Sequence, residues 1–336
     1  MLRFAVLALA LMPLAAEPQQ ARSFKDWSVL CAEAGHCTVF GFGPDTADTS
    51  AYVRIERGIG ADAKPQAWIV LNEASDKDRQ VSLTLDGTPS PALPGTPQRL
   101  PKDERRIRLS FNDTLIAALR KGSLIEAQIA GADKAPISLA GAVAALIWMD
   151  DYQGRVGTPA ALIAKTGKNT PFREPIPKLL RKPAPVTPLA EQPPVPPALM
   201  QAVSDECSLE NPAEQAQPEA VRLTDTKILW SAVCNIAAYN IDSIFFIEEA
   251  GSLKPAVFAS PKLDAPGTEE TNSLTLAEVE PQGRTVSSFA RGRGFGDCGV
   301  SGDWIWDGVE FRLTAYHFMP ECKGVQFEDW PDLLAK

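Results

Sequence analysis

Residues 304–314 read WIWDGVEFRLT: Trp304, Ile305 and Trp306, then Asp307-Gly308, then Val309, Phe311 and Leu313 alternating with polar residues. Alternation with period two puts successive side chains on opposite faces of an extended strand. An Asp-Gly pair between two such runs is a hairpin signal, with both residues expected at positive φ. The two indoles are expected on one face of this hairpin, opposite Ile305. Strand runs recur upstream, in ILWSAVC (Ile228 to Cys234), SIFFIEE (Ser243 to Glu249), PAVFAS (Pro255 to Ser260) and SLTLAEV (Ser273 to Val279). Nearer the N-terminus, Trp27, Val29 and Cys31, then Val53 and Ile55, then Val81, Leu83 and Leu85, then Ile107, Leu109 and Phe111 repeat the pattern of half-buried antiparallel strands. Asp86-Gly87 marks a turn.

Two helices are expected among these strands. One follows a cap at Asn112 or Asp113, with Leu115, Ile116 and Leu119 on one face and Gly122 at its end. The other starts near Ser138, places Leu139, Val143 and Leu146 at helical spacing and stops at Gly154. The fold class is therefore mainly β with a few helices, an α+β protein.

Proline divides the chain. Of 29 prolines, a dense run falls in residues 171–197, PFREPIPKLLRKPAPVTPLAEQPPVPP, where neither helix nor central strand is tenable and an extended conformation is favoured. The expected plan is a β-rich N-terminal domain with two helices at 24–166, a proline-rich linker at 167–199 and a C-terminal β domain at 200–336. Such a linker, at roughly 3.1 Å per residue, is long enough to hold the two domains apart. Lys178, Arg181 and Lys182 within it read as solvated charges.

The first residues carry a different signal. Arg3 precedes the apolar run Phe4 to Leu14, then Ala15 and Ala16, then polar Glu17 to Gln20. That is the layout of a secretory signal peptide, residues 1–16, with cleavage expected after Ala16. A bilayer-spanning helix needs roughly 20 apolar residues, more than this run or any later one supplies, so an integral membrane protein is not expected. The expected location is periplasmic or secreted.

All six cysteines fall beyond that segment, and an even count in an exported chain reads as three disulfides. Six cysteines allow fifteen pairings; pairing in chain order joins Cys31 to Cys37, Cys207 to Cys234 and Cys298 to Cys322. The last bridge would staple the outer ends of the 304–314 hairpin. Zinc binding fits poorly, because the spacings are wide and only His36 and His317 are available as imidazole ligands. No Cys-x-x-Cys motif supports thiol chemistry. No cofactor is implied. The formal net charge of -9 argues against a nucleic-acid partner, which takes a clustered excess of Lys and Arg.

The string ARGRGFGDCG at residues 290–299, followed by Trp304, Trp306, Phe311 and Cys322-Lys-Gly324, resembles the bacterial family known as domain of unknown function 1176. Phe24-Lys-Asp-Trp27, the run MDDYQGR at 149–155, Cys234 and Ala238-Tyr-Asn240 extend the resemblance over nearly the whole chain. It implies an exported protein and supplies no activity. Within the N-terminal block, Trp27 through Cys31 and Cys37, with Ile137 to Ala142, is similar to the invasion-associated locus B family of small exported β proteins. That similarity implies a comparable β domain and a role at the envelope surface.

Several polar clusters are candidate sites. Gly292, Gly294, Gly296 and Gly299 lack the helix and the Lys-Ser/Thr of a phosphate-cradling loop, so a tight loop pinned by a disulfide is expected. Arg291 and Arg293 beside it are candidate anion ligands, with Asp297 and Asp303 as the competing local partners. Asp150 and Asp151 are adjacent on a helix and point about 100° apart, so exposed charges with an Arg155 salt bridge are expected rather than an acid/base pair. With two histidines and no Gly-x-Ser-x-Gly elbow, no catalytic residue is assigned. Trp304 and Trp306 are a binding platform if their shared face is exposed and core if it is buried.

The functional expectation is a binding or interaction module of the cell envelope, with an envelope protein or glycan as partner. The alternative is an envelope hydrolase acting on glycan or ester bonds, with Asp297 or Asp303 as its acid.

Overall fold

The computed structural model describes residues 21–44, 50–60, 62–95, 97–165, 186–263, 267–280 and 284–334. The expected signal peptide, and the linker up to residue 185, lie outside the described residues. The fold is mostly β, in several antiparallel sheets.

The N-terminal block runs β1 (Ala21–Phe24), β2 (Trp27–Cys31), β3 (Cys37–Gly41), β4 (Ala51–Arg57), β5 (Gln66–Leu71), β6 (Arg79–Leu85), β7 (Gln98–Leu100), β8 (Arg106–Leu109), α1 (Asp113–Lys121), β9 (Leu124–Ile129), β10 (Lys134–Ser138) and α2 (Ala142–Tyr152). A six-stranded sheet in the order β1-β2-β3-β4-β5-β8 faces a four-stranded sheet, β10-β9-β6-β7. Val29, Val53, Ile55 and Ile69 of the first sheet meet Leu83 and Ile125 of the second and Leu146 and Met149 of α2 in one core. Helix α1 begins where Asn112 Oδ1 accepts a 3.0 Å bond from the Leu115 amide, and ends at Gly122. Helix α2 starts at Ala142, later than the sequence suggests, because Ser138 completes β10. The turn between them needs Gly141, whose φ is 105° and whose missing side chain leaves room for the Phe24 carbonyl.

Asp150 is a correction. Its side chain is fully buried, not an exposed helix-end charge, and its partner is Arg57 at 2.8 Å rather than Arg155. The Leu162 amide, 2.6 Å away, donates to its second oxygen. Burial works against both charges, pushing the Arg57 guanidinium down to about 10 and the Asp150 carboxyl up. Arg155 donates instead to the carbonyls of Ile59 and Gly60 at 2.8 and 2.7 Å, and Gln153 donates to those of Gly35 and Arg57 at 2.8 and 3.0 Å. This network ties the chain beyond α2 to the ends of β3 and β4.

The C-terminal block runs α3 (Pro197–Glu206), α4 (Pro212–Gln215), β11 (Glu219–Arg222), β12 (Lys227–Ile236), β13 (Ile241–Glu249), β14 (Ser252–Pro255), β15 (Phe258–Pro261), β16 (Thr268–Thr271), β17 (Ser273–Thr275), β18 (Glu278–Glu280), β19 (Thr285–Arg291), β20 (Gly299–Trp306) and β21 (Phe311–Met319). Strands β11-β12-β13-β14 form one sheet, with β17 also on β13, and β18-β19-β20-β21 form another. The run PAVFAS is broken at Ala256 and Val257. SLTLAEV is broken at Leu276, whose φ is 43°. Gln192 exchanges two hydrogen bonds with the Ala220 backbone at 2.8 and 3.1 Å, anchoring the described end of the proline-rich stretch to β11.

The 304–314 hairpin forms, with a longer turn than expected. Trp306 pairs with Phe311, so residues 307–310 make the loop and Val309, 74% exposed, is not in the strand. Only Gly308 has positive φ. Asp307 instead accepts from the Val309 and Glu310 amides at 2.9 and 3.0 Å, a side-chain turn that replaces the two-residue one. The bridges join Cys31 to Cys37, Cys207 to Cys234 and Cys298 to Cys322, which is pairing in chain order.

The two blocks do not stand apart. Leu30, Phe40, Tyr52 and Val70, on the face of the six-stranded sheet away from its own core, share a buried cluster with Tyr316, Met319, Val325, Trp330 and Leu333. This is why β2 and β3 are buried at every position rather than half-buried. Val325, Trp330 and Leu333 cover that face.

Candidate functional site

The covering segment stops short of the edge of the six-stranded sheet, and a cleft opens there. In register, Arg54 of β4 lies beside Trp68 of β5, which lies beside Arg108 of β8; one row along, Val70 lies beside Arg106. Alternation fixes the arrangement, because Val53, Ile55, Ile69, Ile107 and Leu109 take the core face and leave Arg54, Trp68, Arg106 and Arg108 on the other. Trp68, Arg106 and Arg108, with Asp103, Glu104 and Arg105 from the turn before β8 and Glu328 from the covering segment, line a cleft of about 380 Å³. That volume lies within the range of small-molecule sites.

The inner wall is a charge cluster. Asp329 is fully buried and accepts a 2.6 Å hydrogen bond from the Tyr52 hydroxyl. Arg105 donates to it at 3.3 Å, Arg106 pairs with its other oxygen, and Arg54 Nε lies 4.0 Å from that oxygen. Arg54 also pairs with Glu56, and its guanidinium sits over the Trp68 ring, 5.9 Å from the centroid. Burial and the Asp329 carboxylate push the Tyr52 hydroxyl far above the usual phenol range.

Most acids of the cleft are committed. Glu328 pairs with Arg105 at 2.7 Å, Glu104 accepts from the Arg105 and Arg106 amides at 3.0 and 2.8 Å, and Asp103 lies 3.9 Å from Lys102. Arg108 differs: it is exposed, lines the cleft and has no acidic partner among the described residues. A half-buried indole beside an uncompensated guanidinium can hold an anionic group by a forked pair of hydrogen bonds while an apolar part stacks.

The residues singled out in the sequence lie elsewhere. Arg293 makes a two-pronged pair with Asp297 at 2.7 and 2.5 Å, so its guanidinium is engaged locally. Asp297 also accepts from the Gly324 amide at 2.7 Å. Burial pushes this carboxyl up, but Arg293 and the Gly324 amide outweigh it and hold it below the usual range. Arg291 stacks over Phe289 at 5.9 Å, and its Nε is buried without a hydrogen bond. The glycine run is a tight loop closed by a bond from the Gly292 amide to the Cys298 carbonyl, with Gly296 and Gly299 at positive φ. At its tip Phe295 is 84% exposed.

Trp304 and Trp306 are buried, at 3% and 1% exposure, and pack against Phe258 and Phe311. Neither indole offers a face for a ligand, so the platform they would have formed is absent. Asp303, beside them in sequence, is pushed up by burial, down by His317 and up again by Asp332, for a net rise.

Reading the sequence missed Arg54, Trp68, Arg105, Arg106, Arg108 and Asp329. The available signal was the charged face of β8, where Arg106 and Arg108 alternate with Ile107 and Leu109.

The chain is 31% identical over 366 aligned residues to the uncharacterized protein YpfG of Escherichia coli strain K12, covering 98% of this chain and 97% of that protein. The crystal structure of invasion associated protein B from Bartonella henselae overlaps 40% of this chain and 98% of its own, with a TM-score of 0.28 and 14% identity. A family model described as protein of unknown function, DUF1176, matches residues 21–335. The chain, over nearly its whole length, therefore belongs to the DUF1176 family.

Proposed function

We propose that the protein is an exported component of the bacterial cell envelope that acts as a binding module, and that the Trp68/Arg108 cleft is where it binds. The observation that carries this reading is Arg108, an exposed guanidinium without an acidic partner among the described residues, beside a half-buried tryptophan in an open cleft. Around it the walls are pre-set: Arg54, Arg105 and Arg106 are fixed by Asp329, so little ordering remains when a ligand arrives. Three disulfides accord with an oxidising compartment, as does the signal-like run at residues 4–14. No helix among the described residues is long and apolar enough to cross a membrane.

The test is crosslinking of the tagged protein in its native envelope, with mass spectrometry of what it captures, beside a folded Trp68→Ala/Arg108→Ala variant. A reproducible partner that the variant loses supports the reading. Capture that is unchanged in the variant moves the site elsewhere, and failure of the protein to reach the envelope overturns the localisation.

A further inference from the structure

We infer that the cleft takes a sugar ring bearing a carboxylate, an acidic glycan rather than a phosphate or a neutral sugar. The inference rests on the binding reading above and adds the ligand class.

The charge pattern makes the selection. Arg108 supplies one fork of N–H donors with no internal carboxylate to satisfy them, which suits one planar carboxylate. Arg106 is 40% exposed at its side chain and already shares Asp329, so it adds attraction without a second empty fork. Asp103, Glu104 and Glu328 surround these groups and repel a dianionic phosphate. Their remaining oxygen lone pairs are acceptors, which is what a ring carrying several hydroxyls needs.

Trp68 supplies the apolar part. Arg54 sits over its ring, and the half-buried indole still contributes to the cleft lining. An indole face matches the C–H face of a pyranose, so stacking there leaves the ring hydroxyls at the edge, toward the acidic rim. A ring stacked on Trp68 with its carboxylate on Arg108 uses two residues that are adjacent in register on β5 and β8. Both are held on strands rather than loops, which fixes their separation.

The test is calorimetric titration of the purified, oxidised protein with tetrasaccharides of galacturonate and of glucuronate, their carboxyl-reduced neutral counterparts, and inorganic phosphate. The expected result is binding of at least one acidic tetrasaccharide, at least tenfold weaker binding of its neutral counterpart, and at least tenfold loss in Arg108→Ala. Trp68→Ala should lose affinity and Trp68→Phe should retain most of it, with circular dichroism unchanged in all three variants. No binding of either acidic tetrasaccharide, equal binding of the neutral forms, tighter binding of phosphate, or no effect of Arg108→Ala overturns the inference. If that happens while envelope capture still depends on Trp68 and Arg108, the ligand class is wrong and the binding reading stands. If capture is also independent of both residues, the cleft is not the site.

Discussion

The hydroxyl of Tyr52, in the fourth strand of the N-terminal sheet, donates a 2.6 Å hydrogen bond to the buried carboxylate of Asp329, near the end of the chain. The two residues are 277 positions apart, and their contact lies inside the cluster that joins the two blocks. Asp329 also gathers Arg105 and Arg106, so one carboxylate neutralises like charges that would otherwise repel across β8. The segment that carries Asp329 therefore supplies part of the cleft wall.

Replacing Asp329 by Ala should cost about 3–5 kcal/mol, because it removes a fully buried carboxylate, strands the Tyr52 hydroxyl and leaves Arg106 without an acidic partner among the described residues. Tyr52→Phe, which removes one charge-assisted hydrogen bond and leaves the arginines paired, should cost about 2 kcal/mol. Urea unfolding of the two variants checks both values, and equal losses would mean that the arginine cluster adds nothing. The pH dependence has a definite sign. Tyr52 is raised in the folded protein, so its contribution is fully present below the unfolded phenol value of about 10 and declines only as pH climbs toward the higher folded value. Above pH 10 an Asp329→Asn variant should lose less stability than the wild type does, since the Asp329 charge helps to raise Tyr52.

Asp150 and Arg57 form the other buried pair, at 2.8 Å. Asp150→Ala should destabilise by about 3–5 kcal/mol, since it strands Arg57 and frees the Leu162 amide. A double Arg57→Met/Asp150→Leu replacement removes both charges and should recover part of that loss. Thermal melts of the single and double variants decide it; a double variant at least as unstable as Asp150→Ala would show that the pair stabilises the fold in its own right.

How much of this was readable from residues alone depends on what sets each feature. Alternation in Val53 and Ile55, in Ile107 and Leu109, and in Phe311 and Leu313 gave strands directly, because each needs only one apolar face. Asn112 marked its helix for a similar local reason, the capping of one amide. Burial of Leu30 and Phe40 on the opposite face was not readable, because it depends on residues near 330 folding back across the sheet. The same distance hid the cleft: nothing local to Arg108 says that Trp68 is its neighbour or that Asp329 serves Arg106. Asp150 was misread because a helix-end position suggests solvent, and only the chain beyond α2 buries it.

Trp304 and Trp306 show the limit of a face argument. They share a face as expected, and that face is the core, where Phe258 lies 5.5 Å from Trp304 and Phe311 5.1 Å from Trp306. Truncation to Ala at either position should cost about 3–5 kcal/mol, the usual penalty for emptying a large aromatic site. Chemical denaturation with near-ultraviolet circular dichroism checks this. A variant that keeps full stability would return these indoles to the surface and reopen the platform reading.

Asp297 ties together the loop that carries the exposed Phe295. It holds Arg293 through two oxygens and the Gly324 amide through one, while Cys298 next to it is bridged to Cys322. Asp297→Asn removes the charge from these bonds and should cost about 2 kcal/mol near neutral pH. Its carboxyl sits below its ordinary range in the folded protein, so the contribution is present above the unfolded value of about 3.9 and is lost as pH falls through the folded value. Wild type and variant should therefore converge in stability at acid pH and separate above about pH 4. Opening the Cys298–Cys322 bridge by a double Ser replacement should cost roughly 3 kcal/mol in the chain-entropy account. If the bridge and the carboxylate restrain the same loop, the combined variant should lose less than the two effects added, because a loop already released by one change has less order left for the other to remove. Strict additivity in urea titrations would mean that the two hold separate segments.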